Sequence, residues 1–160
     1  MNTTSPSETE IIADPDIPLI RIIREFDAPP EKVFRAHTDP ELVVQWLGPR
    51  GIEMEIDTYD CRTGGSYRYL HKRAGEEYAF NGCFHEVRPS ELIVQTFTFE
   101  GFPNGVALER LVLEDLGSGR TRLVATSLVD TFEGRDAMIA SGMEFGIREG
   151  YERLDELLAG

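Results

Sequence analysis

Between Ile52 and Val129 the chain repeats one pattern: apolar pairs two residues apart, at Met54/Ile56, Tyr67/Tyr69, Tyr78/Phe80, Phe97/Phe99, Leu111/Leu113 and Leu123/Ala125. Successive side chains of a strand point to opposite faces, so this spacing marks strands buried on one face only. The runs are separated by Gly64-Gly65, Gly75, Arg88-Pro89-Ser90, Pro103-Asn-Gly105 and Gly117-Ser-Gly119, which supply turn geometries. Parallel strands need long crossovers and there is no room for them here, so the six strands form an antiparallel meander. After Thr131-Phe132 the period lengthens. Ile139, Met143, Gly146/Ile147, Gly150, Leu154 and Leu157/Leu158 recur at helical spacing, which predicts one amphipathic helix from about Gly134 to Ala159. Its glycines 142, 146 and 150 each cost about 1 kcal/mol relative to Ala. Either a strand or a ligand is therefore expected to come close to that helix.

Upstream, Pro18–Phe26 is dense in β-branched residues and reads as a first strand, closed by Asp27-Ala-Pro-Pro30. Pro30 suits the first turn of a helix reaching Ala36. A second short helix follows, capped by Asp39, with Pro40 in its first turn and Gly48-Pro49 at its end. Residues 1–16, rich in Ser, Thr, Pro and acids, are expected to be a mobile tail outside a domain spanning 17–160. The fold class is α+β, with two short helices after the first strand and that strand lying beside the last one in the sheet.

Acidic residues outnumber basic ones 29 to 16, a net charge of −13, so the mean field repels phosphate backbones and anionic lipid. Neither nucleic acid nor a membrane is an expected partner. The polar, acidic start lacks the signature of a secretory signal, and no apolar run approaches the roughly 20 residues of a spanning helix, so the expected compartment is the cytoplasm. Cys61 and Cys83 lack metal-ligand or redox spacing and read as reduced, isolated thiols. There is no nucleotide-binding loop, no nucleophile elbow and no other recognisable catalytic motif. No cofactor or metal is expected.

Several words of the sequence occur together in one family: Arg24-Glu-Phe-Asp-Ala-Pro-Pro-Glu-Lys-Val-Phe34, Thr38-Asp-Pro-Glu-Leu-Val-Val-Gln-Trp46, Asp60-Cys-Arg-Thr-Gly-Gly65 before Tyr67-Arg-Tyr69, Gly119-Arg-Thr-Arg-Leu123, and Gly150-Tyr with Leu154. In order and spacing the chain resembles the START-like (SRPBCC) superfamily, in the branch named after the activator of heat-shock protein ATPase. The resemblance spans roughly residues 18–159. It implies a helix-grip fold, a curved antiparallel sheet wrapped around a long C-terminal helix, with an elongated apolar cavity between them. Members that it resembles bind small hydrophobic or amphipathic molecules, and some catalyse cyclisation or hydrolysis. Catalytic residues are not shared across the family.

Strand parity indicates which residues would line such a cavity. If Phe97, Phe99, Leu111 and Leu113 face the helix, Gln95 and Glu109 face inward with them, as do Leu123, Ala125 and Ser127 on the last strand. Tyr67, Tyr69 and His71 share one face of their own strand. A few polar groups within an apolar lining are the usual composition of a small-molecule site. The expected ligand residues are Trp46, Tyr67, Tyr69, His71, Phe97, Phe99, Glu109, Met138, Gly142, Met143 and Phe145. His71 and Glu109 form either an acid–base pair or two separate groups at a wet sheet margin. Trp46 is either a core plug or a gate at the cavity mouth. The expected function is binding of a small hydrophobic or amphipathic molecule; a cyclase- or hydrolase-type enzyme and a co-chaperone-like interaction module are the alternatives. Uncovered sheet edges leave room for a homodimer.

Overall fold

The structure, a computed structural model, describes residues 8–160. Its first strand is β1 (Glu10–Ala13), followed by β2 (Leu19–Phe26), α1 (Pro30–Thr38) and α2 (Pro40–Val43). Six strands then run in succession: β3 (Glu53–Tyr59), β4 (Ser66–Arg73), β5 (Glu76–Arg88), β6 (Leu92–Phe99), β7 (Ala107–Gly117) and β8 (Arg120–Leu128). The chain closes with α3 (Phe132–Ala140) and α4 (Met143–Ala159). All eight strands form one antiparallel sheet in the order β1-β2-β8-β7-β6-β5-β4-β3, so β2 lies beside the last strand. The open, curved sheet with its C-terminal helices is the helix-grip architecture.

Local signals explain the early elements. The Asp39 carboxylate accepts the Glu41 N–H at 2.9 Å, capping α2, and Pro30 and Pro40 occupy first turns where no N–H is needed. Glu10–Ala13, expected within the tail, pairs with β2 from Glu10↔Ile23 to Ala13↔Ile20. Two helical arginines fasten it: buried Arg135 donates to the Asp14 and Leu19 carbonyls at 2.8 and 3.1 Å, and Arg148 to that of Thr9. Four residues are too few for a clear alternation, and long-range anchors are invisible to local patterning. The rest of the expected tail, residues 1–7, lies outside the described residues.

The expected single terminal helix is two. α3 ends at Ala140 with Ser141 as its C-cap, and Gly142, at φ 88°, turns the chain before α4 begins. That left-handed conformation costs glycine little and any other residue more, so the helical period continues in sequence across a real break. Gly146 and Gly150 do mark a close approach, to the Trp46–Pro49 segment and not to a strand: a Cβ on Gly150 would lie 3.4 Å from Gly48 and Trp46 backbone atoms.

Buried side chains form two clusters. The larger joins Ile20, Ile22 and Phe26 of β2, Leu113 and Leu123, Val33, Ala36, Val43 and Trp46 to Tyr151, Leu154 and Leu158 of α4. Fully burying a residue such as Leu154 contributes about 1.5–3 kcal/mol, so the C-terminal half of α4 holds the helix on the sheet. The smaller cluster, Tyr67, Tyr69, Phe84 and Ile93, lies on β4–β6. Phe34, Leu47, Met54, Ile56, Tyr59 and Leu111 touch both.

Candidate functional site

The inner face of β4–β8 carries the candidate site. Register places Tyr67 opposite Gly82, Tyr69 opposite Phe80, Phe84 opposite Gln95, Gln95 opposite Glu109, and Glu109 opposite Ser127, so five strands contribute to one surface. Its aromatic wall is continuous: Tyr67–Tyr69, Tyr69–Phe80 and Phe80–Phe97 stack with centroids 6.0, 5.3 and 5.3 Å apart. Phe80, Gln95, Phe97, Glu109 and Leu111 remain partly open to water although their strand parity turns them toward the helix. In the first turns of α4, Met143 and Ile147 are also half-buried and pack against the larger cluster.

A polar chain crosses this wall. The Tyr67 hydroxyl donates to the Thr96 carbonyl at 2.7 Å, and Gln95 Nε2 donates to the Tyr67 oxygen at 3.2 Å and, more weakly, to Glu109 Oε1 at 3.4 Å. Gly82 permits the first contact. A Cβ there would lie 2.0 Å from the Thr96 oxygen and 2.7 Å from the Tyr67 hydroxyl. Ser127 is 5% exposed, and its Oγ faces Glu109 across the β7–β8 ladder, near enough to favour the charged carboxylate. Burial pushes Glu109 up to about 7, against smaller opposing effects of Ser127 and Gln95; no cation is among the groups that stabilise its charge. The Tyr67, Tyr69 and Tyr151 hydroxyls are all driven upward by burial and then by the Glu109 charge, so they stay protonated.

The expected ligand residues divide accordingly. Tyr67, Tyr69, Phe97 and Glu109 come together on the inner face. Phe99 stands at its rim, 37% exposed beside Tyr78 and Phe80. His71 does not join Glu109: β5 and β6 separate their strands, and neither appears among the influences on the other's protonation. His71 instead packs beside Tyr69, Phe80 and Gly48, where burial lowers it to about 4. Trp46 is 3% exposed, donates its indole N–H to the Ala36 carbonyl at 2.9 Å and stacks on Tyr151, which makes it a core plug and not a gate. Met138 and Met143 are half-buried against the larger cluster. Gly142 lies exposed at the helix break and Phe145 is 61% exposed, so the broken helix turns these two outward. Parity had set Gln95 and Ser127 inward without naming them as ligand residues. Phe80 was missed, although the Tyr78/Phe80 alternation carried it.

The cysteines are free, and burial raises the Cys61 thiol to about 12, which leaves it unreactive. Among the described residues, no three His, Cys, Asp or Glu side chains are grouped as a metal site would require, and no helix is long and apolar enough to cross a membrane.

The model of the family described as "Activator of Hsp90 ATPase homolog 1-like protein" matches residues 27–159. The chain belongs to that family. Among solved structures similar to it, a Rhodobacter sphaeroides protein is 28% identical with a TM-score of 0.83, over 94% of this chain and 97% of that one. An Arthrobacter aurescens protein is 26% identical with a TM-score of 0.86, over 94% and 91%. DynU16, a protein in the dynemicin biosynthetic locus, shares the fold at 22% identity and a TM-score of 0.66, over 88% of this chain and 47% of its own. No curated protein matches. Proteins of this family and fold are generally ligand-binding or cyclase-like modules.

Proposed function

We propose that the protein binds a small hydrophobic or amphipathic molecule between the inner face of β4–β8 and the start of α4. The observation that carries this reading is the inward-facing set Phe80, Gln95, Phe97, Glu109 and Leu111, which remains partly wet although packed cores exclude water. Rings supply apolar area, and the Gln95–Glu109–Ser127 group supplies the few polar contacts that orient a ligand. Native mass spectrometry of the protein purified from its own host tests the reading. A retained small molecule, lost when Phe97→Ala and Tyr69→Ala remove the wall, is the expected result; an empty protein whose melting temperature no apolar compound shifts would refute it.

One observation favours turnover as a second reading. A half-buried carboxylate near neutrality is suited to moving a proton in either direction, so Glu109 would serve as the acid or base of a cyclase- or hydrolase-type reaction. Loss of turnover of a bound compound in Glu109→Gln, with binding retained, would distinguish catalysis from binding alone.

A further inference from the structure

Resting on the binding reading, the donor and acceptor balance of the inner site specifies the polar end of its ligand. Tyr67 spends its O–H on Thr96, and Gln95 spends its side-chain N–H groups on Tyr67 and Glu109. The donors left over are the hydroxyls of Ser127, Tyr69 and Tyr151, while the charged acceptor of the group is the Glu109 carboxylate, which receives only the long Gln95 contact among the side-chain bonds drawn above. We propose that the site selects an amphipathic molecule carrying a protonated amine, its N–H groups donating to Glu109 and Ser127 and its apolar part lying on Tyr69, Phe80 and Phe97.

Three independent features favour the amine. Among the described residues no cation stabilises the Glu109 charge, and a charge-assisted hydrogen bond is the strongest contact its carboxylate can make. The buried Ser127 Oγ lies directly across the ladder from it; with its O–H turned to the carboxylate, its lone pairs give the amine a second partner. The ring faces beside the carboxylate attract cations, while the net charge of −13 draws them toward the protein and repels fatty anions.

Calorimetric titration with octylamine, octanol and octanoate tests this, because the three share a tail and differ only at the head. Octylamine should bind about tenfold or more tightly than octanol at about pH 8, with octanoate weakest. The octylamine affinity should fall as pH drops through about 7, where Glu109 takes up its proton, while octanol binding stays level. Other facing groups do not titrate there: Tyr67 and Tyr69 of β4 and Tyr151 of α4 are held protonated, His37 and His71 are lowered to about 4, and Gln95 and Ser127 carry no charge. Glu109→Gln should abolish the preference for octylamine and spare octanol binding. Equal or weaker binding of octylamine, an unchanged pH profile, or unchanged octylamine affinity in Glu109→Gln overturns the amine assignment and leaves the binding reading standing. If none of the three probes binds, the amine assignment falls, while the binding reading falls only if the native protein is also empty and no apolar compound shifts its melting temperature. The pH profile of the unmodified protein decides the matter even without the variant.

Discussion

Glu109 is destabilising where it is ionised, since a carboxylate moved from water into this wall gains no cation in exchange. Its folded-state value, about 7, lies above the 4.5 of the free side chain. The native state therefore holds the proton more tightly. The stability so conferred is complete below about 4.5 and is lost as pH rises through about 7. Glu109→Gln keeps the shape without the charge. Urea unfolding of ligand-free protein at about pH 8 should show that variant to be about 1–3 kcal/mol more stable than the parent, with the difference vanishing at acid pH.

At the scale of elements, two contacts hold the site's supporting pieces. Gly82 lets β4 reach across β5 to β6, because only a missing Cβ leaves space for the Tyr67 hydroxyl on the Thr96 carbonyl. Gly82→Ala should cost about 1–3 kcal/mol through overpacking. Thermal melting would measure that loss, and a shifted environment for Gln95 would show that the polar chain had broken. Arg135 binds β1 to α3 through the Asp14 and Leu19 carbonyls. Its replacement in Arg135→Met strips those carbonyls of a charged donor, a local loss of about 1–3 kcal/mol. Hydrogen exchange should accelerate at Ile11–Ala13 while β7 and β8 keep their protection.

The whole molecule combines opposing proton linkages. His37, bonded to the Val33 carbonyl at 2.8 Å beside Trp46, and His71 are both lowered by burial to about 4, below the 6.5 of free imidazole. Unfolding releases them to take up protons, so their contribution is complete above about 6.5 and is lost as pH falls through about 4. Glu109 works against this loss over much of the same range, so the acid limb of the stability curve should steepen in Glu109→Gln; an unaltered slope would contradict these assignments. Much of this architecture follows from the sequence alone. Two-residue alternation, glycine turns and the proline-started helices are local consequences of backbone geometry, and they determined β2 to β8, α1, α2 and the inward parity of Gln95, Glu109 and Ser127. What only the tertiary structure decided depends on contacts between residues far apart in the chain. β1 is held by arginines more than 110 positions away, Trp46 is buried by Tyr151, and His71 is directed to Gly48 and away from Glu109. The break at Gly142 is of the same kind, since a glycine tolerates both the helical and the left-handed conformation, and only the packing of α3 and α4 selects between them.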